Sequence, residues 1–340
     1  MDRDIIEKAG LEFYGIPSGK LRRYFSLRNV SDVFKVCAGF FAARRILKRQ
    51  KPVLLFSKGG FVSVPPCAAA ASLRIPVFTH DSDYSPGLAT RINSRFAEKI
   101  FLPYRESSAF FPEKAKGKLI VSGNPIRPEF SGADPAKGRA FLGLKDDERI
   151  LLVLGGSLGS RDINNLVRAS LSGLTRYYTV IHQTGEADAD SQTTAERYRA
   201  YASFGDEIPH IIAAAELVLC RSGANTIWEC KSLGKPMVLV PLPVSASRGD
   251  QVENARLFQD AGAAVCFMAD SSRDVNESGD PDKLCSLIAS LAEEDGRRRA
   301  MGDAKISVSP EAEGSGDLSE SGAAALIAGE IVRRITGKAD

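Results

Sequence analysis

Leu151-Leu152-Val153-Leu154-Gly155-Gly156-Ser157-Leu158-Gly159-Ser160 is the stretch that decides the architecture. Preceded by Arg149, its first half joins Ile150 in an apolar run of strand length with no polar alternation. Such a run reads as a strand buried on both faces, inside a parallel sheet. The glycine pair stops it, and a helical pattern begins near Arg161. A strand, a glycine turn and a helix start in succession make a βα unit whose backbone N–H groups can meet a phosphate oxygen, with the Ser157 hydroxyl as a further donor. The same residues taken alone also describe a tight βα turn that binds nothing.

Working outward, the pattern repeats. Apolar runs at 52–57, 75–79 and 119–122 precede the quoted stretch, and runs at 178–182, 217–220, 236–240 and 264–267 follow it. Helix-patterned segments separate them, among them an alanine-rich one after Gly59-Gly60. Residues 11–16 are an earlier strand candidate. At 340 residues the chain exceeds one ordinary core. Strands alternating with helices then predict an α/β protein of two Rossmann-like, doubly wound domains with parallel sheets. The first domain is expected over 1–128 and the second over 148–321. Residues 129–147, which open on a stretch rich in Pro, Gly and Ala, are expected as the linker. An amphipathic C-terminal helix, 322–336, is expected to complete the first domain. Residues 269–280 and 307–321 are Ser-, Gly-, Asp- and Glu-rich and read as loops.

Composition narrows the class. An apolar share of 44% and a charged share of 26% are ordinary for a globular protein, and a net charge of +3 gives no argument for a nucleic-acid partner. The six cysteines contain no CxxC pair, which points away from zinc and disulfide frameworks and toward a reducing compartment. No apolar stretch approaches the roughly 18 residues of a membrane span. The first residues are charged and helix-patterned, unlike a signal peptide. The expected location is the cytoplasm or a membrane face.

Lys20, Arg22, Arg23, Arg28, Lys35, Arg44, Arg45, Lys48, Arg49 and Lys51 are interleaved with Phe25, Phe34, Phe40 and Phe41. Cations beside apolar groups suit an anionic membrane surface. A core-facing helix with a solvated basic side fits equally well. Single-stranded RNA is a third possibility that nothing else supports.

Two further turns fall in the second domain. Cys220-Arg221-Ser222-Gly223-Ala224-Asn225-Thr226-Ile227-Trp228-Glu229 follows a strand and opens a helix. Amides at 223–226 could hold phosphate or a sugar hydroxyl, and Glu229, about one turn in, could accept both hydroxyls of a ribose. A surface glutamate near a helix start is the plainer account. Ser247-Arg248-Gly249-Asp250-Gln251-Val252-Glu253-Asn254-Ala255 follows the Pro241-Leu242-Pro243 turn. Asp250 and Gln251 could bind sugar hydroxyls, or could simply cap a helix.

Taken together, these turns resemble the donor-domain motifs of the MurG-like N-acetylglucosaminyltransferases, which have the two-domain GT-B fold with the sheets facing a cleft. The first half agrees through Ser57-Lys58-Gly59-Gly60-Phe61-Val62-Ser63, through His80-Asp81-Ser82-Asp83 with Pro86-Gly87-Leu88, and through Ser122-Gly123-Asn124-Pro125-Ile126-Arg127. The motifs occur in order across 4–262. The resemblance implies transfer of GlcNAc from UDP-GlcNAc to lipid I, an undecaprenyl-pyrophosphoryl sugar peptide, giving lipid II at the cytoplasmic face of the cell membrane. It implies an inverting displacement, no metal or other cofactor, and no nucleic acid. It also carries roles over to residues. Gly156 and Ser157 would hold the donor pyrophosphate. Ala224, Asn225 and Thr226 would meet GlcNAc and phosphate, Glu229 the ribose, and Gln251 with Asp250 the GlcNAc hydroxyls. Arg127 would lie near the nucleotide, and the Gly205 backbone at the uracil. Gly59 and Gly60 would face the acceptor diphosphate, with His80, Asp81 and Asp83 lining the cleft and His80 or Asp81 as the base.

The resembled family opens with a strand and a glycine-rich loop bearing a histidine, and the expectation here is a first sheet without them. Of the three histidines, His182 is expected to be structural and His210 to sit on a surface loop. Two other functions stay open: a UDP-GlcNAc 2-epimerase-like enzyme, and a non-catalytic or truncated UDP-sugar-binding protein.

Overall fold

The computed structural model describes residues 2–19, 28–156, 159–188, 195–243, 249–268, 279–306 and 321–337. Two compact units emerge: 1–82, 86–123 and 326–340 form the first, and 83–85 with 124–325 form the second.

In chain order the first unit contains α1 (Asp2–Lys8), α2 (Arg28–Gln50), β1 (Leu55–Ser57), α3 (Val64–Ser72), β2 (Val77–His80), α4 (Leu88–Asn93), β3 (Lys99–Leu102), α5 (Glu113–Lys116) and β4 (Leu119–Val121). Its described strands form one parallel sheet in the order β1-β2-β3-β4. Strand alternation sorts the core. Val77, Ile100 and Leu102 cluster with Cys67, Ala70 and Ala97, whereas Phe78 and Phe101 pack against Ile327. Both sheet faces are therefore covered, as a parallel sheet requires. Ile327 comes from the last helix, numbered α13 below, which is further tied to β3 by Lys99–Glu330 and to Glu98 by Arg334 at 2.7 Å. Residues 11–16 form no strand, and Leu11 is 62% exposed there. A strand is defined by a neighbour's ladder, and this stretch has none.

The second unit runs α6 (Pro135–Leu142), β5 (Ile150–Leu154), α7 (Arg161–Leu174), β6 (Thr179–Gln183), β7 (Tyr198–Tyr201), α8 (Ile208–Ala214), β8 (Leu217–Cys220), α9 (Ala224–Ser232), β9 (Met237–Leu239), α10 (Asp250–Asp260), β10 (Ala264–Cys266), α11 (Pro281–Glu293) and α12 (Asp295–Asp303), before α13 (Ser321–Thr336). The parallel sheet order is β10-β9-β8-β5-β6-β7. The chain winds outward from β5 through β6 and β7, then returns to β8 on the other side. The gap between β5 and β8 is thus the topological switch point, where ligands of such sheets bind beyond the strand C-termini. Ile150 to Leu154 are all buried. α7 shows why it packs where it does: Ile163, Leu166, Val167, Ser170, Leu171 and Leu174 recur at helical spacing and are buried, and the Ser160 hydroxyl caps Ile163 N.

The stretch expected as a linker is folded. Asp134 caps α6, Pro135 starts it and Gly143 ends it with φ +60°. A Cβ on Gly138 would stand 2.2 Å from His210 O, so glycine is what allows α6 to lie directly on α8. His210 is accordingly not on a surface loop. It sits in α8, half-buried, and its Nδ1 accepts from Asp134 N at 2.9 Å. Strands β3 and β7 lie outside the apolar runs expected from the sequence.

Two buried polar centres hold the ends of the strands. Arg221, directly after β8, is 8% exposed. Its Nη1 donates to Val240 O and Pro241 O at 3.1 and 3.2 Å, and its Nη2 to Ser160 Oγ and Asp162 Oδ2 at 2.6 and 2.9 Å. His182, fully buried near the end of β6, lies 3.1 Å through Nε2 from Asn164 Oδ1 and 3.0 Å through Nδ1 from Tyr198 OH. Burial first and Arg168 second push it down to about 4, with Asp188 opposing.

Arg221→Met leaves the Val240 and Pro241 carbonyls without their donor and should cost about 2–4 kcal/mol in urea unfolding, with Arg221→Lys losing less. His182 folds neutral and is more basic when unfolded, so its contribution is present above about pH 6.5 and is lost as pH falls toward about 4. His182→Gln should therefore flatten the loss of stability between pH 7 and 4 by on the order of 3 kcal/mol.

Candidate functional site

A cavity of about 190 Å³ opens at the switch point of the second unit, lined by Leu154, Gly155, Gly156, Gly159, Ser160, Arg221, Gly223, Thr226, Leu242 and Gln251. These residues come from the turns that follow β5, β8 and β9, so the three motifs converge on one space.

The β5 turn is shaped by glycine. A Cβ on Gly155 would meet Ser160 N at 2.8 Å, and one on Gly159 would meet Thr184 O at 2.2 Å. Gly156 has φ +95° with open space beside it, and its carbonyl accepts from Gly159 N at 3.0 Å. The backbone is thus bare toward the cavity and braced on the other side by the turn that follows β6, at Thr184 and Gly185. Ser157 lies outside the described residues, as do Ser247 and Arg248 and most of the two expected loops.

The β8 turn delivers Gly223 in extended conformation (φ −67°, ψ 131°) and α9 directly after it, with no side chain capping the helix start. Thr226 lines the cavity, and Ala224, at the start of α9, is buried. Asn225 is exposed on the same turn. Glu229 follows on α9 and takes Arg127 Nε on Oε1 at 2.8 Å. The β9 turn contributes Leu242, whose N–H donates to Gln251 Oε1 at 3.0 Å. That bond turns the Gln251 amide so that, among the described residues, Nε2 is the donor left over. Asp250 opens α10 after Gly249, at φ +88°. Ser222 Oγ donates to Gln251 O at 2.7 Å, and fully buried Asn254 donates to Ser222 O at 3.2 Å, which fastens α10 to the β8 turn.

The structure therefore brings Gly156, Thr226 and Gln251 around one cavity, with Ala224, Asn225, Glu229 and Asp250 on the helices that open there. Gly205 sits after β7, two strands from β5, and its carbonyl accepts from Ile208 N as α8 begins. Asp83 groups with the second unit, where Asn254 Nδ2 donates to its Oδ1 at 3.2 Å.

In the first unit, Gly59 and Gly60 follow β1 with φ +78° and +76°, a conformation that favours glycine, and a Cβ on Gly59 would crowd Thr90 Oγ1 at 3.0 Å. His80 ends β2 fully buried. Its Nε2 lies 3.1 Å from Gly123 O, and because a carbonyl only accepts, Nε2 carries the proton. Nδ1 therefore holds the lone pair, which takes Lys58 Nζ at 2.8 Å. Burial and then the Lys58 charge push His80 down to about 3. In this arrangement the lone pair of His80 is taken by Lys58, and burial lowers its proton affinity. Asp81, also buried, accepts Gly87 N on Oδ2 at 3.0 Å.

Arg221 and Lys58 were legible as motif letters but not as actors. The signal for Arg221 was an arginine placed straight after the wholly apolar Leu217-Val218-Leu219-Cys220, where a buried guanidinium must find acceptors. Among the described residues no three His, Cys, Asp or Glu side chains group as a metal-binding set.

Residues 1–102 match the glycosyltransferase family 28 N-terminal domain, and 150–314 match the glycosyltransferase family 28 C-terminal domain. A Treponema denticola protein is 45% identical over 315 residues, covering 87% of this chain and 79% of its own. It is named UDP-N-acetylglucosamine–N-acetylmuramyl-(pentapeptide) pyrophosphoryl-undecaprenol N-acetylglucosamine transferase. Among solved structures, Acinetobacter baumannii MurG superposes with a TM-score of 0.62 at 24% identity, over 88% of this chain and 83% of that one. A Neisseria meningitidis UDP-GlcNAc 2-epimerase superposes as well, with a TM-score of 0.63 at 12% identity, over 92% and 83%. Both likenesses establish the two-domain fold and neither separates transferase from epimerase; the sequence identity does. On that identity and coverage, the chain belongs to the family of UDP-N-acetylglucosamine–N-acetylmuramyl-(pentapeptide) pyrophosphoryl-undecaprenol N-acetylglucosamine transferases.

Proposed function

We propose that this protein transfers GlcNAc from UDP-GlcNAc to the MurNAc-pentapeptide of lipid I, forming lipid II for peptidoglycan. The observation that carries the reading is the convergence of three βα turns on one cavity at the switch point of the second unit. In this reading the bare backbone around Gly156, with Ser157, takes the donor pyrophosphate. The start of α9, at Ala224, Asn225 and Thr226, takes phosphate and GlcNAc. Two helix N-termini, those of α7 and α9, then stabilise the charge that grows on departing UDP. Gln251 Nε2 and Asp250 read GlcNAc hydroxyls, Glu229 the ribose, Arg127 lies beside it, and the Gly205 backbone meets uracil.

The acceptor hydroxyl oxygen bonds to the anomeric carbon as the carbon–oxygen bond to UDP breaks, and UDP departs with the electron pair. The hydroxyl proton goes to a base, a role this reading gives to Asp81. Gly59 and Gly60 face the acceptor diphosphate.

A lipid-linked acceptor requires a membrane-facing surface, and α2 supplies one. Phe34 and Phe41 are 71% and 68% exposed. With Arg45 and Lys48 they recur at helical spacing on one exposed stripe. No described helix is long and apolar enough to cross a membrane. An amphipathic helix of this kind lies in the headgroup plane, so the same reading has the enzyme peripheral on the cytoplasmic face.

Labelled GlcNAc should pass from UDP-GlcNAc to a short-chain lipid I analogue, and Asp81→Asn should lower kcat by about 10²–10⁴ with UDP affinity unchanged. Conversion of UDP-GlcNAc to its 2-epimer without any acceptor would overturn the assignment. Phe34→Ser with Phe41→Ser should weaken partitioning onto anionic vesicles by about 10²-fold or more, the loss of two buried aromatics at roughly 1.5–3 kcal/mol each, and leave turnover of a water-soluble acceptor intact.

A further inference from the structure

Arg127 stands beside Glu229 in a way that a nearby cation alone does not explain. Its Nε donates to Glu229 Oε1 at 2.8 Å, and its guanidinium carbon lies 5.0 Å from the centroid of the Phe130 ring. Phe130 is 1% exposed, so this ring is an anchored platform. The backbone at Arg127 is extended, caps the 3-10 turn Pro128–Phe130 and is followed directly by proline, which narrows its conformations further. The arginine is thus held at its base by Pro128 and at its tip by a ring and a carboxylate. Within the pair the carboxylate is the inner partner: the Glu229 side chain is 15% exposed and that of Arg127 is 54%.

An ion pair this open adds little to stability. What it does is select one orientation for a carboxylate that otherwise rotates about three bonds. We infer that Arg127 is a positioning residue: it holds the Glu229 carboxylate in the orientation that accepts both hydroxyls of the donor ribose, and so sets the preference for a ribonucleotide over a deoxyribonucleotide. The inference rests on the reading of Glu229 given above. A diol presents two O–H donors at a fixed separation, and a carboxylate receives both only when its plane is aligned with them. Misalignment forfeits one bond and leaves contacts to the base and the diphosphate as they were.

The test is the ratio of dissociation constants for 2′-deoxy-UDP and UDP, measured by calorimetry on the full chain and on Arg127→Met, Arg127→Lys and Glu229→Gln, each checked for an unchanged thermal midpoint. The unaltered protein should favour UDP roughly tenfold or more, as expected for a hydrogen bond to a charged group. Glu229→Gln should bring the ratio close to one. Arg127→Met should reduce it to about threefold or less with 2′-deoxy-UDP binding little changed, and Arg127→Lys, which keeps the charge without the planar fork, should recover part of it. If Glu229→Gln abolishes the preference and Arg127→Met leaves it intact, including by weakening both nucleotides equally, positioning is overturned and the ribose reading stands. Tighter UDP binding by Arg127→Met would mean that the pair competes with the diol, which also overturns it. A preference that survives Glu229→Gln removes the ribose reading, and this inference with it.

Discussion

One buried guanidinium organises the candidate donor site. Arg221 reaches the carbonyls that follow β9 and the hydroxyl and carboxylate that start α7. A charge taken out of water is tolerated only where such partners surround it. The three turns are therefore coupled: the one after β8 carries the arginine, and those after β5 and β9 must hold their acceptors in place, or it is stranded. Asn254 and Ser222 extend the same bracing to α10. Backbone donors fixed in this way need no reorganisation when charge appears in front of them, which is where much of the catalytic advantage of such pockets lies.

The fold was largely legible because its strands advertise themselves. A run such as Ile150-Leu151-Leu152-Val153-Leu154 has no polar face to solvate, so it could only be an inner strand, and the glycine after it could only be a turn. β3 and β7 escaped because Lys99-Ile100-Phe101-Leu102 and Tyr198-Arg199-Ala200-Tyr201 are short and carry a cation. Their strand character comes from the neighbours they pair with, Phe78 to His80 and Val180 to Gln183. Residues 11–16 show the converse, a strand-like composition with no neighbour.

The site was legible at the level of motifs and opaque at the level of roles. Gly156, Thr226 and Gln251 could be singled out because turn chemistry restricts what stands after a strand. Nothing in the letters told that His80 spends one nitrogen on Gly123 and the other on Lys58. A histidine beside an aspartate reads as an acid–base pair until its hydrogen bonds are known. Gly138 misled in a similar way. Glycine among Pro and Ala suggests a loose connection, whereas here it marks the tightest approach between two helices.

The return of α13 to the first sheet has a consequence for how the chain is made. Phe78 and Phe101 present their face to Ile327, more than two hundred residues downstream. During synthesis that face emerges early and stays uncovered while the entire second unit is translated. Units generally fold as their sequence becomes available, so the second unit can close on its own core before the first has received its last helix. The order of emergence and the order of completion are thus reversed, and the exposed face of β2 and β3 is the surface a chaperone would have most reason to shield in the interval.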